Sequence, residues 1–551
     1  MALGFATPTI PGLIMTRNNL AHSPLQHYAT LGHSLVFLTF LTGLYAYTWP
    51  SNIDYLEGVM YQQAGYRRFG VIDGVSPCSF SSDGEGRQAA AEWVRTAFHD
   101  MITHNAAEGT GGMDASIMFE MDRPENPGSA FNATMGFMTN FYNIQTSMAD
   151  LFALAVYVAV RTCGGPRIVM RGGRIDATGA GLAGVPEPTD DLDTIVAQFA
   201  TAGFNTTEMI QMVACGHTLG GVHGVDFPDI TGNDSSTNFV HFDSTFNSFD
   251  SAVVTDYLDG TTENSLVVGP EGSNSDLLVF GADGNATMQS ISDANTFANT
   301  CQAILQRMIE VVPSSVTLSE IIDPIPIKPV AIQMTFDSSG TLALTGEIRV
   351  LISNRDDTDL TVQLHYADHD GNIPSNNTIS TSVISYSTGY GYDAEFRFYA
   401  FSAPIPNGIS SFNISVTPSS GGEEIYDNGG SGYPIQDNIV YLRDHSCLIE
   451  ETDTNGNWNL TAVAAVRNEA SLTNPSFDVV VKTQRTGILV PSLAVESSVM
   501  ELWSSDAYDG FTLYAGHFSL PIYSWSTTFD VTVGEYSDSF KSSGGLPGTC
   551  S

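Results

Sequence analysis

The chain has 551 residues, 42% of them hydrophobic, so it is long enough for several domains with their own cores and is not a disordered protein. It carries 60 Asp and Glu residues against 20 Lys and Arg residues, a formal net charge of −40 at pH 7. Such a surface repels phosphate backbones and anionic membranes, so we expect no nucleic-acid partner. The composition suits either secretion into an acidic medium or high solubility alone.

The first predicted element is an uncharged, mostly apolar run over residues 34–48. It is short for a membrane span and has the length of the hydrophobic region of a signal peptide. The 33 residues before it are unusual for a signal peptide, so a signal anchor and an over-extended chain start remain alternatives. We predict a leader over residues 1–48 and a secreted protein.

Residues 49–313 carry apolar residues at spacings of three and four, which predicts a mainly helical domain. In one of these helices Arg95 and His99 are four residues apart and share a face, with Phe98 beside them. A cation, an imidazole and an aromatic ring on one face could line a buried reaction pocket. A surface helix with a chance histidine is the alternative.

Three further segments of this domain carry candidate ligands. Asp114 and Ser116 follow two glycines and suit a calcium ion together with Asp100, although a plain turn is the alternative. His217 lies among small residues that allow close approach to a flat ligand, although a satisfied core histidine is the alternative. Residues 242–250 place two carboxylates and a hydroxyl close together, with Thr218 as a distant partner, which again suits calcium.

The pattern changes at residues 313–330, which hold four prolines, and we predict a linker over residues 314–330. Strand-like alternation follows it. Residues 390–416 resemble residues 506–533, with a Tyr/Phe strand, a Pro-Ile turn and an aromatic strand in each. We predict two all-β sandwich-like domains, over residues 331–436 and 437–551, the second held by a Cys447–Cys550 bridge.

The six cysteines include no CxxC pair, which favours scattered disulfides over a zinc site. Seven N-x-[ST] sequons point in the same direction, to a secreted glycoprotein. The sequons begin at Asn132, Asn205, Asn233, Asn285, Asn376, Asn413 and Asn459.

Four motifs, in this order and spacing, resemble the secreted haem peroxidases of the plant, fungal and bacterial superfamily, most of all the fungal secreted branch. They are the RxxFHD of residues 95–100, the GGxDxS of 111–116, the GHTLG of 216–220 and the FDST of 242–245 with Asp250. Shorter matches at residues 125–128, 149–151, 173–177, 186–188 and 275–276 agree. The resemblance covers roughly residues 60–312 and implies the helical haem peroxidase fold for residues 49–313.

The resemblance implies one haem b and reaction with hydrogen peroxide through a ferryl iron and a porphyrin radical, which small organic donors reduce in one-electron steps. His217 would be the axial iron ligand and Asp276 its hydrogen-bond partner. His99 would move the peroxide proton and Arg95 would stabilise the developing negative charge, with Asn126 orienting His99. Phe98 and Glu120 would complete the distal pocket and Phe242 the proximal one.

The resemblance also implies two calcium ions. The first would bind Asp100, Gly112, Asp114 and Ser116, and the second Thr218, Asp243, Thr245, Ser248 and Asp250. It implies a Cys78–Cys163 bridge and leaves Cys215 to pair with Cys301. The family usually carries more bridges, and its Gly-Ala-His is Cys215-Gly216-His217 here, so the disulfide pattern stays open.

Specialised donor sites of the family are largely missing. Gln88, Glu92 and His223 stand where manganese peroxidases have three carboxylates. Met212 stands where lignin and versatile peroxidases have an exposed Trp, and Asp226 where ascorbate peroxidases have an Arg. We therefore expect a generic peroxidase with hydrogen peroxide and small reducing substrates as its partners. We also expect a monomer.

The β-domains leave a second hypothesis open. Tyr390, Tyr392 and Trp503 could stack on sugars if they are exposed. The alternative function is therefore a catalytically weak or idle peroxidase fold that binds cell-wall glycan through its β-domains.

Overall fold

The computed structural model describes residues 47–81, 87–235, 237–355, 359–470 and 473–550. All but the last two residues of the predicted leader lie outside the described residues. Among the residues that are described, no helix has the length and apolar character needed to cross a membrane.

The part of the chain before residue 313 is mainly helical, as predicted. The helices are α1 Asp54–Tyr61, α2 Ala89–Met101, α3 Ala130–Met138, α4 Met148–Thr162, α5 Leu192–Thr201, α6 Thr206–Gly216, α7 Pro228–Thr231, α8 Ala252–Asp259, α9 Ser265–Val268, α10 Ser275–Phe280, α11 Ala286–Ser290 and α12 Ala294–Glu310. Three short strands accompany them, β1 Ala64–Gly65, β2 Gly221–His223 and β3 Phe239–His241.

Helix α4 forms the centre of this part because its sequence is apolar on every face. All its residues from Met148 to Val160 are buried, and the Ser147 hydroxyl caps its first turn by accepting from Asp150 N. Helix α2 packs against it and turns its remaining faces to α3 and α6. Helix α6 ends at Gly216, which leaves His217 at the C-cap position, facing α2 across the core.

The rest of the chain is all-β and forms two sandwiches, as predicted. The first contains β4 Ile327–Phe336, β5 Leu342–Leu351, β6 Thr361–Ala367, β7 Thr378–Ser380, β8 Ser382–Tyr390, β9 Glu395–Pro404, β10 Ser411–Thr417, β11 Glu424–Tyr426 and β12 Tyr433–Pro434. Its sheets have the orders β1-β8-β9-β5-β4 and β11-β10-β6-β7, with β12 beside β10. Strand β4 begins inside the segment predicted as a linker.

The second sandwich contains β13 Ile439–Tyr441, β14 Cys447–Ile449, β15 Asn457–Arg467, β16 Ser476–Arg485, β17 Ile488–Val499, β18 Glu501–Tyr508, β19 Phe511–Pro521, β20 Thr528–Val533 and β21 Tyr536–Ser542. Its sheets have the orders β13-β15-β19-β18, with β14 beside β15, and β17-β16-β20-β21. Paired strands are antiparallel throughout, with β15 and β19 in register from Asn457↔Pro521 to Arg467↔Phe511.

Each sandwich has a hydrophobic core of its own, and a few residues of each also pack into the core of the helical part. Strand β1 of the helical part pairs with the edge strand β8, Ala64 opposite Tyr390. Phe396 and Phe398 of the first sandwich and Val490 of the second belong to the same buried cluster as the helices. The sandwiches are therefore packed directly against the helical part, in addition to being connected to it through the chain.

Candidate active site

Helix α2 and the loop after it build one wall of a buried cavity. The ring of His99 is 8% exposed, and its Nδ1 lies 2.8 Å from Oδ1 of Asn126. The Asn126 amide Nδ2 donates to the carbonyl oxygen of Glu120 at 3.1 Å, so its Oδ1 must face the histidine. Nδ1 of His99 is then the protonated nitrogen, and Nε2 is the basic one.

The electrostatics of this wall favour a neutral imidazole. Burial and the neighbouring Arg95 cation lower the pKa of His99 to about 3. Burial also lowers the pKa of Arg95, to about 10, which leaves it charged at neutral pH. The Arg95 guanidinium lies 4.6 Å from the ring centre of Phe131 and donates to the carbonyl oxygen of Pro127 at 3.2 Å. A neutral base therefore stands beside a fixed cation.

The remaining predicted distal residues surround this pair. Phe98 packs on Phe199 with ring centres 5.8 Å apart and lines the cavity. The Glu120 carboxylate is buried, accepts from the backbone N–H of Gly181 at 2.7 Å and lies 3.1 Å from Arg123. Burial raises the pKa of Glu120. Its backbone carbonyl orients Asn126, so Glu120 supports His99 through its main chain.

His217 faces the cavity from the other side. Its Nδ1 lies 2.8 Å from Oδ2 of Asp276, which is 1% exposed on α10. The Phe242 ring stacks on the imidazole, with centres 4.1 Å apart and planes 9° apart. Because a carboxylate can only accept, Nδ1 carries the proton and Nε2 is the nitrogen free to bind a metal.

Asn264 is a buried residue of this site that the sequence motifs did not identify. Its Nδ2 donates to Oδ2 of Asp276 at 2.8 Å, the same oxygen that accepts from His217. Asn264 lies 12 residues before Asp276, in a segment without a recognisable pattern, so no signal in the sequence pointed to it.

The two walls enclose a cavity of about 260 Å³. Arg95, Phe98 and His99 line one side, and His217, Leu219 and Phe242 line the other. The lining is mostly apolar. Of the imidazoles in it, His99 and His217 face each other, and each has its Nδ1 held by a side-chain oxygen. This set of donors fits a flat apolar cofactor whose iron would bind His217 and whose opposite face His99 would serve.

The predicted first calcium loop lies directly after α2. Backbone N–H groups of Ala115 and Ile117 donate to the Asp100 carboxylate at 2.8 and 3.1 Å. Burial and the nearby Asp114 raise the pKa of Asp100, and burial raises that of Asp114. The buried Ser116 hydroxyl makes no hydrogen bond among the described residues. Two buried carboxylates and an unpaired oxygen fit a cation.

Gly112 of this loop needs the conformational freedom of glycine. Its φ is +106°, and a Cβ added there would come within 2.7 Å of the carbonyl oxygen of Val311. The loop therefore approaches the backbone beyond the end of α12 more closely than another residue type would allow.

The predicted second calcium loop lies beside His217. Thr218 Oγ1 donates to the carbonyl oxygen of Asp250 at 2.7 Å, and Thr245 Oγ1 to its carboxylate at 2.8 Å. Ser248 lies in the same turn, its N–H donating to the Thr245 carbonyl. Burial, with Asp250 and Asp256 nearby, raises the pKa of Asp243 to about 7, and its Oδ2 has no hydrogen-bond partner among the described residues.

Neither loop gathers three or more His, Cys, Asp or Glu side chains, and no such cluster occurs elsewhere in the described residues. Each loop instead combines two carboxylates with hydroxyl and carbonyl oxygens. Such a mixed oxygen set suits Ca²⁺ better than transition metals, which prefer nitrogen and sulfur.

The structure forms all three predicted disulfides, Cys78–Cys163, Cys215–Cys301 and Cys447–Cys550. Cys215 lies in the last turn of α6, two residues before His217, and its bridge ties that turn to α12. The second bridge therefore fixes the end of the helix that presents His217.

Of the positions that hold specialised donors in related peroxidases, Gln88, Glu92, Met212 and His223 line the cavity. Arg87 pairs with Glu92 at 2.6 Å and with Asp226 at 3.5 Å. His223 stacks on Phe239 with centres 4.6 Å apart, and burial with Arg87 lowers its pKa to about 4. The Glu92 carboxylate is thus already paired with a cation, which disfavours a manganese site.

The three aromatic residues proposed to stack on sugars are separated. Tyr392 is packed against α4, where its hydroxyl lies 2.9 Å from Thr162 Oγ1 and its ring 5.7 Å from that of Tyr157. Tyr390 and Trp503 are each 46% exposed but lie in different sandwiches. Tyr392 is therefore part of the interface with the helices, and a platform made of all three residues is excluded.

The chain is similar in sequence to known peroxidases. The Peroxidase family model matches residues 80–310. A WSC domain-containing protein of Arthroderma benhamiae is 41% identical over 518 residues, which is 91% of this chain and 68% of that protein. Versatile peroxidase VPS1 of Pleurotus eryngii is 33% identical over 33% of the chain, and the peroxisomal L-ascorbate peroxidase 5 of Arabidopsis thaliana is 34% identical over 25%. The chain spans half the length of each of these two peroxidases.

Proposed function

Because the chain belongs to the plant and fungal peroxidase superfamily, we propose that it is a secreted haem peroxidase that reduces hydrogen peroxide and oxidises small organic donors. One observation carries this proposal. Two imidazoles line opposite sides of one cavity, and each has its Nδ1 engaged, His99 by Asn126 and His217 by Asp276.

A haem bound in the cavity would supply the iron at which peroxide reacts and the ring that exchanges electrons. Nε2 of His217 would hold the iron, and Asp276, by accepting from Nδ1–H, would make the imidazole a stronger donor. The Cys215–Cys301 bridge and the stacked Phe242 would keep that ring in place.

On the other wall, Nε2 of His99 would take the proton from one peroxide oxygen and deliver it to the other as the O–O bond breaks. The low pKa of His99 keeps this nitrogen free of a proton before peroxide arrives. The Arg95 guanidinium would stabilise the negative charge that develops on the leaving oxygen. The mostly apolar lining would exclude water and strengthen both effects.

The reducing substrates would be small neutral aromatic molecules. The stacked rings of His223 and Phe239 offer an aromatic surface, and the Arg87 cation is already paired with Glu92, so it does not attract an anion. A dedicated manganese site is disfavoured, since Gln88 and His223 are not carboxylates.

Purified protein loaded with haem tests the function directly. We expect a strong haem absorption band that changes on addition of hydrogen peroxide, and steady-state oxidation of a phenol but not of manganese(II). The matched control is His217→Ala, which should lose the normal haem band. A wild-type band that peroxide leaves unchanged would contradict the proposal.

We further propose that one calcium ion binds in each of the two oxygen-rich loops. In the first loop the cation would relieve the repulsion between the buried Asp100 and Asp114 carboxylates. In the second it would engage Asp243, whose Oδ2 lacks a partner among the described residues. Each ion would thereby brace the end of a helix that presents one of the two histidines.

Removal of calcium by a chelator is expected to lower the midpoint of thermal unfolding. At free calcium 100 times the dissociation constant, each site contributes about 2.7 kcal/mol to the free energy of unfolding. Asp243→Asn should lower the midpoint and reduce the response to calcium, whereas Asp73→Asn, at an exposed carboxylate, should change neither. A midpoint insensitive to chelation in the wild type would disprove calcium binding.

A further inference from the structure

Asn264 connects two structural elements on the His217 side of the cavity. It is 1% exposed and precedes helix α9 as its N-cap. Its Oδ1 accepts from the backbone N–H of Leu266 at 2.9 Å, and its Nδ2 donates to Oδ2 of Asp276 at 2.8 Å. Capping alone would need only the oxygen, so the capping role leaves the second hydrogen bond unexplained.

The orientation of the amide follows from its partners. The backbone N–H of Leu266 can only donate, so the amide oxygen must face it. The NH₂ group must then face Asp276, whose carboxylate can only accept. An exchange of the amide oxygen and nitrogen would create two repulsive contacts in a buried site.

Oδ2 of Asp276 therefore accepts two hydrogen bonds at 2.8 Å, one from His217 and one from Asn264. The second donor withdraws electron density from the oxygen that His217 uses. Asp276 then pulls less strongly on the Nδ1 proton, and the imidazole donates less strongly through Nε2.

We propose that Asn264 is a positioning residue that tunes His217 through Asp276 and so raises the reduction potential of the bound iron. The inference rests on the proposed haem peroxidase function. A weaker imidazole donor stabilises the ferric form less, so the iron is reduced more readily than it would be with Asp276 accepting from His217 alone.

The test uses the haem-loaded full chain with Asn264→Leu, which keeps the approximate volume and removes the donor. We expect the ferric/ferrous midpoint potential to become more negative and the iron–histidine stretching frequency in resonance Raman spectra of the ferrous form to rise. Asn264→Ser, whose side chain is shorter and less disruptive to pack, should shift both quantities in the same direction.

The matched control is Asp293→Ala, which removes the N-cap of α12 without touching Asp276. It should lower thermal stability and leave the potential and the stretching frequency at the wild-type values. If both Asn264 variants load haem and keep both wild-type values, the tuning role is wrong, whereas peroxide reactivity of the wild type would still support the peroxidase function. If the wild type binds no haem, the function and the inference fail together.

Discussion

Replacing His99 by leucine is expected to lower the rate constant for the reaction with hydrogen peroxide about 10²–10⁴-fold, the usual contribution of a positioned acid–base group. Leucine fills a similar space but cannot carry the proton between the peroxide oxygens. Since His217 and Asp276 are unchanged, haem should load normally. The change in haem absorption after rapid mixing with peroxide measures the rate constant.

Two further variants distinguish the loss of proton transfer from nonspecific disruption of the structure. His365→Leu makes the same substitution on strand β6, outside the cavity, and should leave the peroxide rate unchanged. Asn126→Ala keeps His99 but removes the acceptor that holds its Nδ1 proton, so it should reduce the rate less than His99→Leu does. A His99→Leu variant that reacts with peroxide at the wild-type rate would show that another group moves the proton.

The sequence could predict this wall of the site because its residues are local. Arg95 and His99 are four positions apart in a helix, so periodicity alone puts them on one face. The small neighbours of His217 marked it as a candidate, but its role as an iron ligand, and Asp276 as its partner, came only from the resemblance to known motifs. Asn264 was missed, because its contact with Asp276 depends on how two short helices pack, and neither spacing nor composition encodes that packing.

The division of the fold was also predictable, since apolar spacing changes from the helical to the strand period near residue 313. The packing of the helical part against the sandwiches could not be predicted from the sequence. Strand β1 has only two residues and pairs with β8, more than 300 positions away in the chain. Lys328 falls in a proline-rich segment that predicts a linker, yet it is 6% exposed in the structure. Long-range pairings of this kind leave no periodic signal.

A buried cluster of charges joins helix α1 to the first sandwich. The carboxylate of Glu57, on α1, lies against the Arg349 guanidinium. Lys328 Nζ lies 2.8 Å from Oε2 of the same Glu57 carboxylate. Arg349 also donates to Gln62 Oε1 at 2.6 Å and lies 4.2 Å from the ring centre of Phe396. Burial raises the pKa of Glu57, but the two cations outweigh this effect and lower it to about 2.

Arg349→Met should therefore lower the free energy of unfolding by about 3–5 kcal/mol, because it leaves a buried carboxylate with an incomplete set of partners. Urea unfolding followed by circular dichroism at a helix-sensitive wavelength and by tryptophan fluorescence measures the loss. Because residues of both sandwiches pack into the helical core, we expect the two transitions to coincide in the wild type.

The control for this substitution is Arg355→Met, which breaks an ion pair with Glu424 whose side chains are 21% and 42% exposed. Water already screens that pair, so its loss should cost about 0–1 kcal/mol. Equal effects of the two substitutions would mean that the Glu57–Arg349 contact does not hold the parts together. A large effect of Arg349→Met alone means that the sandwiches contribute to the stability of the helical part, and hence to the geometry of the cavity between His99 and His217.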